Sequence, residues 1–333
     1  MTTMNAIPRA VPDHRTLLSA MRLASRAPSV HNTQPWRWRF DGERLRLHTD
    51  PDRVLAAADP QGRQQVISCG AMLHHVRTAF GAWGWHTDTT RLPDPSDPGR
   101  LAEIGFRPWP DPPAGLVARA GAIDHRRTDR LPMDPPAHWE DIAPRLRMLA
   151  SPHYVDVDVL DESVRPRLTA VSEQAAALRR HDQMYQAEIG WWSGHSGFPE
   201  GVPADALISD AERARVRVGR DFPSVPHSAR RPALEDHARL VVLSTPDDSA
   251  AGWLATGEAL SAILLECTVA GLATCALTHI TELPTGRNIL TGFLSRPGKP
   301  QLVIRIGTAP ADEPEHPPTP RRSLTDTLTL DRH

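Results

Sequence analysis

The sequence has little lysine, cysteine or tyrosine, and it has no long apolar run. Lys299 is the only lysine among 38 lysine and arginine residues, so the positive charge is almost entirely arginine. The net charge of −2 gives no electrostatic reason to expect nucleic acid or an anionic membrane as a partner. No apolar run reaches the roughly 20 residues that a membrane span needs. Pro8, Pro12 and charged residues stand where a signal peptide has its apolar core, so we expect a soluble, cytoplasmic protein.

The three cysteines are too few for a disulfide framework, and motifs for metal binding are missing. We expect Cys69, Cys267 and Cys275 to be reduced core residues. The sequence has no HExxH or CxxC motif, and His74 and His75 are adjacent on a predicted helix, which should point them in different directions. No GxSxG motif or Cys-His arrangement indicates nucleophilic catalysis. We therefore predict no metal site.

The first part of the chain shows alternating helix and strand patterns. Apolar residues near helical spacing predict one helix over 16–27 and a longer one over 67–85. Between them, alternation interrupted by Asp41-Gly42 predicts a β-hairpin. A short strand over 101–106 follows.

The same order of patterns recurs later in the chain. Gly257 opens a predicted helix that Gly271 closes fourteen residues later, and Gly70 and Gly84 have the same separation. A predicted strand over 301–307 then follows. Two helices of equal spacing are also compatible with coincidence.

We interpret the recurrence as an internal duplication with a boundary near Gly121. The two predicted domains comprise residues 1–121 and residues 122–333.

A proline-bounded polar loop, APSVHNTQPW, occupies residues 27–36. Pro28 and Pro35 each remove a backbone donor and favour an extended residue before them, so the run cannot be the middle of a helix or a central strand. The loop also concentrates hydrogen-bonding side chains, namely Ser29, Asn32, Thr33 and Gln34. Such a loop suits a planar polar ligand; the alternative is a proline-stiffened connector without a ligand.

The loop resembles the flavin-contacting pattern (A)PSxxNxQPW of the FMN-dependent nitroreductase family. More narrowly, the chain is similar to the Acg-like branch, in which one chain carries two nitroreductase-like halves. The resemblance implies an α+β fold in which a nitroreductase-like unit is duplicated as a pseudo-dimer, each half a mainly antiparallel sheet flanked by helices. It implies one FMN in the cleft between the halves, with NAD(P)H as electron donor and a small-molecule electron acceptor. The chain would act as a monomeric pseudo-dimer or as a dimer of such chains.

In that family each flavin lies at a dimer interface, and the two halves here carry complementary parts of one site. One subunit supplies an RxSxR-type segment and a basic residue near its C-terminus, and the other supplies the loop. The first half has the loop, whereas the second has HRRTDR at 125–130 and SPHYVDVDV at 151–159 where a loop should be. The resemblance thus implies one complete site per chain and the loss of a second. The implied FMN contacts are Pro28, Ser29, Val30, Asn32, Arg126, Arg127, Thr128, Arg130, Leu277, Thr278, Arg321 and Arg322.

By this resemblance the arginines hold the FMN phosphate, which guanidinium groups bind bidentately. Arg126 is one phosphate contact, Arg127 contributes its backbone, and either Arg321 or Arg322 is the second phosphate contact. Solvated basic surfaces are the alternative. The backbone near Thr278 corresponds to the family's contact to flavin N5, although many members carry an acidic residue and a glycine there. No catalytic residue is assigned.

An insertion over 189–226, which contains WWSGHSGFPEGVP, lies between the second hairpin equivalent and Gly257. Its glycines and prolines argue against a helix, and Trp191, Trp192 and Phe198 are costly to leave exposed. We predict a lid over the flavin, as the Acg-like resemblance suggests; a loop anchored by its aromatic residues is the alternative. His195 in this segment is a candidate proton donor.

These features predict an FMN-dependent NAD(P)H oxidoreductase that reduces nitroaromatic or quinone-type acceptors. One alternative is a protein that binds and sequesters FMN beneath a closed lid with little turnover. Another is a flavin-dependent dehydrogenase of a specific metabolite. The flavin motifs do not separate these functions, because substrate choice depends on the lid and its pocket.

Overall fold

A computed structural model describes residues 10–194, 200–226, 230–313 and 317–331. Its first half comprises α1 (His14–Ala24), β1 (Trp36–Phe40), β2 (Leu45–Thr49), α2 (Arg63–Ala82), β3 (Trp85–Arg91), β4 (Arg100–Pro108) and α3 (Ala114–Ala122). The second half comprises α4 (Trp139–Ala150), β5 (Asp156–Val159), α5 (Arg165–Arg179), α6 (Gln183–Trp191), α7 (Asp210–Arg213), β6 (Arg239–Thr245), α8 (Ala250–Val269), β7 (Ala273–Leu277), α9 (His279–Glu282), α10 (Pro284–Thr291), β8 (Lys299–Gly307), α11 (Leu324–Thr327) and β9 (Leu328–Leu330). The predicted α+β class is confirmed.

The two halves share one sheet topology. The strand order is β3-β4-β2-β1-β9 in the first sheet and β7-β8-β6-β5 in the second. In each sheet, therefore, the third, fourth, second and first strands of the half lie side by side, and these neighbours pair antiparallel. The long helices α2 and α8 occupy equivalent places between the second and third strands. The duplicated architecture is confirmed, and the domain boundary near Gly121 stays a prediction.

The predicted hairpin of β1 and β2 is also confirmed. Trp38 and Leu47 are paired in register, and both side chains are buried. Gly42 has φ +94° in the turn, a conformation that favours glycine. The end of the chain returns to this hairpin, because β9 pairs in parallel with β1 and aligns Leu328 with Trp38. This return carries the C-terminal arginines to the first half.

Several predicted boundaries are wrong. The second helix begins at Arg63 and ends at Ala82, because Gly84 takes φ +78° and the chain enters β3. The first helix ends at Ala24, before the loop. The helix predicted to open at Gly257 begins seven residues earlier, so this glycine lies inside α8.

The predicted placement and character of the insertion are wrong as well. It interrupts the second hairpin, because the segment of residues 160–238 lies between β5 and β6, which pair antiparallel. It also contains a helix, α7. Ser209 and Glu212 form a capping box at its start, and this local cap stabilises the helix despite the nearby prolines.

Helices α2 and α8 cross with their backbones in contact and join the two halves. A Cβ atom built on Gly257 would lie 2.7 Å from the backbone nitrogen of Ala71 and would overlap the carbonyl oxygen of Ile67. A Cβ atom on Gly70 would lie 3.0 Å from the Cα atom of Gly257. A side chain at either position would therefore clash with the other helix, so both positions require glycine.

All three cysteines are buried and free, as expected. Cys69 donates a hydrogen bond from its thiol to the carbonyl of Pro35, over 3.2 Å, which ties α2 to the end of the polar loop. Within the described ranges, no helix combines the length and the hydropathy that crossing a bilayer requires.

Gly257→Ala should destabilise the protein by about 3 kcal/mol, because the added methyl group meets backbone atoms of α2 that cannot rotate away. Chemical denaturation of the purified variant measures this change. Gly121→Ala is the matched control: a Cβ there would meet nothing within 4 Å, so it should be neutral or stabilising by up to about 1 kcal/mol. Equal stabilities of the two variants would contradict the proposed crossing.

Candidate functional site

A cavity of about 970 Å³, counted with its open mouth, lies between the two halves beside the helix crossing. It has three walls: the first half, the second half, and the inserted segment. The first half contributes Pro28, Ser29, Val30, His31, Ile67, Ser68 and Ala71. The second contributes Arg126, Thr128, Arg130, Leu260, Leu264, Thr274, Cys275, Ala276, Leu277, Thr278 and Arg305, and the inserted segment contributes Ile208, Val216, Gly219, Arg220 and Phe222.

The polar loop is fixed against α2 in an unusual backbone conformation. His31, Asn32 and Gln34 have φ values of +48°, +56° and +51°. Non-glycine residues adopt such values at a cost, and they cluster at functional sites where surrounding contacts hold them. The Val30 N–H donates to Ser68 Oγ over 3.1 Å, and the Gln34 N–H donates to Ser29 Oγ over 3.0 Å. The loop therefore presents a preformed edge to the cavity.

Asn32 is not among the cavity-lining residues, but its side chain connects the loop to two other segments. Its side-chain amide donates to the carbonyl oxygens of Gly201 and Pro320, over 3.0 Å and 3.2 Å. The loop is thereby joined to the inserted segment and to the C-terminal segment. A flavin contact of Asn32 stays a prediction.

Arg126 is a buried cation at the cavity wall. Only 7% of the residue is exposed, and within the described part of the chain its Nε has no hydrogen-bond partner. Burial, and then the positive charge of Arg26, lowers the pKa of Arg126 to about 10. A bound anion would supply the missing partner and stabilise the charge.

The two C-terminal arginines have different surroundings. Arg321 donates from its guanidinium to the carbonyls of Ser25 and Arg26, over 3.1 Å and 3.0 Å, at the end of α1. Burial, and then the charges of Arg126 and Arg26, lower the pKa of Arg321 well below its ordinary value. Arg321 therefore lies near the positive charges of Arg126 and Arg26, and Arg26 in turn faces Asp124 over 3.7 Å.

Arg322 instead forms an ion pair with the buried Asp50 over 3.1 Å and donates to the carbonyl of Gln34. Neither arginine is among the described residues that line the cavity, so which of them would contact an anion stays a prediction.

The segment HRRTDR runs along the edge of the second sheet. Thr128 forms a parallel bridge with Thr274 of β7, which directs this part of the segment toward the cavity. Arg130 lies in the cavity with its guanidinium 5.3 Å from the centre of the Phe222 ring. The side chain of Arg127 is exposed and lines a separate groove, so a contact through its backbone stays a prediction.

Leu277 and Thr278 end strand β7 at the cavity wall, close to a buried ion pair. Arg220 of the inserted segment donates to Thr278 Oγ1 over 3.0 Å and to the hydroxyl of Tyr185 over 2.6 Å. It also forms an ion pair with Glu282, and both side chains are at least nine-tenths buried. This contact fixes the inserted segment to the second half.

The inserted segment packs over the cavity through an apolar cluster. Phe222 and Trp192 belong to this cluster, together with Leu55 and Ala58 of the first half. The segment is therefore anchored by its aromatic residues and also forms a wall of the cavity. From the sequence, two further aromatic residues of this segment are costly to expose. Trp191 is nevertheless largely exposed, and Phe198 lies, like His195, outside the described residues.

Three residues that sequence reasoning missed are His31, Arg220 and Phe222. His31 occupies a position of the loop pattern at which any residue is allowed, so the pattern did not indicate it as a site residue. The other two lie in the insertion, where the sequence had no periodic or motif signal. Their convergence depends on tertiary packing alone.

A buried ionic cluster occupies the opposite side of the helix crossing. Glu258 follows Gly257 on α8 and Ala71 follows Gly70 on α2, so the two residues occupy equivalent positions in the two halves. Ala71 faces the cavity, whereas Glu258 is fully buried in a cluster of ion pairs. It accepts from Arg77 over 2.8 Å and from Arg91 over 2.6 Å. Charged side chains therefore fill the position in the duplicated fold that is equivalent to the cavity.

The predicted divergence of His74 and His75 is wrong. The Nδ1 atoms of both rings lie 2.7 Å from the hydroxyl oxygen of Ser261 on α8. Burial lowers the pKa of both histidines, and that of His75 falls to about 3. They are neutral groups that join α2 to α8.

No protein-family model matches the chain. The chain is 45% identical over 309 residues to "Putative NAD(P)H nitroreductase acg" of Mycobacterium tuberculosis strain H37Rv, and this alignment covers 92% of the chain and 93% of that protein. It is 37% identical over 321 residues to another protein of that strain that bears an NAD(P)H nitroreductase description, with 95% and 92% covered.

Two solved structures show weaker similarity. The FMN- and NADPH-dependent nitroreductase NfnB from sphigopyxis sp. strain HMH has a TM-score of 0.42 and 17% identity, over 65% of this chain and 99% of that one. The FMN-dependent NfnB from Mycobacterium smegmatis, solved with NADPH, has a TM-score of 0.39 and 18% identity, over 65% and 98%.

Glu258→Gln should lower the free energy of unfolding by about 3 kcal/mol at neutral pH, because two arginines lose their buried partner. Denaturation midpoints measure this loss. The exposed Glu173→Gln is the control and should change stability by less than about 0.5 kcal/mol.

The effect of Glu258→Gln should also depend on pH. Burial acts to raise the pKa of Glu258, but the Arg91 hydrogen bond and the nearby arginine charges outweigh it and hold the pKa below its ordinary 4.5. The stabilisation is therefore present above pH 4.5 and is lost as the pH falls through the folded pKa. A difference between the variant and the native protein that stays constant from pH 7 to pH 3 would contradict this assignment.

Proposed function

Because the chain belongs to the family of Acg-like NAD(P)H nitroreductases, we propose that it is an FMN-dependent oxidoreductase. It passes electrons from NAD(P)H to a small-molecule acceptor, of nitroaromatic or quinone type. The two halves supply one site between them, and residues 189–226 act as its lid. The protein works in the cytoplasm as a monomeric pseudo-dimer.

The buried Arg126 in the cavity wall, whose Nε lacks a hydrogen-bond partner among the described residues, is the observation that carries the proposal. A buried guanidinium without an ionic partner is costly, and an anion bound beside Arg126 would neutralise it. The Arg126 Nε, unsatisfied among the residues described, would donate to a phosphate oxygen. Thr128 lies on the same wall and can add a neutral hydrogen bond.

The rest of the cavity suits a planar ring with a polar edge. Ile67, Leu260 and Leu264 provide apolar contact area from α2 and α8. Pro28 to Val30 would hold the ring's polar edge, and Leu277 with Thr278 would lie beside its reactive centre. Arg130 would add a positive charge nearby, which would stabilise negative charge on the ring.

When bound, FMN would supply a ring that can take up two electrons and a proton as hydride and release them to an acceptor. For a quinone, the overall balance is NAD(P)H plus one proton plus quinone, giving NAD(P)⁺ and hydroquinone. The chain contributes binding, orientation and exclusion of water. Phe222 and Arg220 perform the last of these tasks from the inserted segment.

A second candidate function is FMN sequestration with little turnover. It is favoured by the fixed position of the inserted segment, which is held through the buried pair of Arg220 with Glu282 and through Asn32 with Gly201. Anaerobic addition of NADPH to the FMN complex separates the two functions. Rapid bleaching of the flavin absorbance supports the oxidoreductase, and a flavin that stays yellow supports sequestration.

Arg126→Ala should weaken FMN binding about 10- to 100-fold, because one charge-assisted hydrogen bond to phosphate is lost. Quenching of FMN fluorescence during titration measures the dissociation constant. Arg127→Ala is the matched control, since it removes a neighbouring guanidinium whose side chain lines a different groove, and it should change the constant less than about twofold.

Equal FMN affinity of the native protein and the Arg126→Ala variant would refute the phosphate site. A native protein that takes up no FMN would refute the function as a whole.

A further inference from the structure

His31 presents an unsatisfied polar atom to the cavity. The residue is 6% exposed, and its Nε2 is buried without a hydrogen-bond partner anywhere in the described ranges. Leaving such an atom unpaired in the protein interior is costly. A ligand that pairs with Nε2 removes this cost.

The imidazole lies beneath the inserted segment. Its ring stands edge-on to Phe222, with centroids 5.4 Å apart and planes at 88°. The guanidinium of Arg130 lies against the same phenyl ring, 5.3 Å from its centre. His31 therefore faces the part of the cavity that the lid covers, where an electron acceptor would be enclosed.

The backbone that carries the imidazole is held in place before any ligand binds. Its backbone has φ +48°, and hydrogen bonds of the loop residues on both sides fix that conformation: Val30 to Ser68, and Gln34 to Ser29. A loop backbone fixed in this way loses little conformational freedom when a ligand binds, which favours a specific contact.

The charge around His31 indicates which kind of ligand atom it meets. Burial, and then the charges of Arg220 and Arg130, hold the pKa of His31 well below its ordinary 6.5, so the ring is neutral near pH 7. The guanidinium of Arg130, which lies against the same Phe222 ring, adds positive potential that attracts an oxygen carrying partial negative charge. Facing such an oxygen, the neutral ring carries its hydrogen on Nε2 and donates it.

We propose that His31 is a specificity-determining residue whose Nε2–H donates a hydrogen bond to an oxygen of the electron acceptor. The acceptor class is a planar molecule with a nitro or quinone oxygen, stacked near Phe222. This assignment rests on the proposed oxidoreductase function.

Binding of menadione, a simple quinone, to the oxidised FMN complex tests the proposal without turnover. Calorimetric titration in the absence of NAD(P)H gives its dissociation constant. His31→Leu should raise this constant about tenfold, because one neutral hydrogen bond is lost. His31→Gln, which keeps an N–H donor, should restore it to within about threefold of the native value.

His48→Leu is the control, because His48 lies on β2 outside the cavity wall, and it should leave menadione affinity unchanged. FMN affinity is measured for every variant. If His31→Leu binds menadione as tightly as the native protein, the inference is wrong while the FMN assignment stands. A loss of FMN affinity that matches the loss of menadione affinity would make His31 a flavin contact and would also overturn it. If the native protein binds no FMN, the proposed function fails first and the inference with it.

Discussion

The structure depends on the close crossing of α2 and α8, which Gly70 and Gly257 permit by having no side chains. This contact joins two halves of the same topology and places a pair of equivalent positions on its two sides. On one side Ala71 leaves room for a cavity. On the other side Glu258 and its arginines fill the space. The residue that follows the glycine on each helix, Ala71 on α2 and Glu258 on α8, thus makes the duplicated architecture asymmetric.

The cavity obtains its chemistry from segments that are far apart in the sequence. The polar loop supplies an edge fixed by left-handed residues, the HRRTDR segment supplies a buried cation, and the returning C-terminus brings Arg321 beside that cation. The inserted segment closes the third wall with Phe222 and Arg220. Each part is incomplete alone, and the buried guanidinium of Arg126 in the cavity wall favours an anionic ligand.

The sequence allows prediction of those features that are local. The β1–β2 hairpin, the loop at residues 27–36 and the arginines of HRRTDR are contiguous motifs, and the loop, Arg126 and Thr278 do lie at one cavity. Features that depend on tertiary convergence could not be predicted. The amide of Asn32 binds Gly201, 169 residues away, and the pairing of β9 with β1 brings the C-terminal arginines to the first half. The insertion was misplaced because β5 is a short strand that the alternation of SPHYVDVDV only weakly indicates.

The central claim is that one chain holds one flavin, in a site to which both halves contribute. Calorimetric titration of the flavin-free protein with FMN tests it most directly. We expect saturation at one FMN per chain, because the cavity lies on one side of the helix crossing and the Glu258 cluster fills the other. Saturation at two FMN per chain, or no binding at all, would contradict this account.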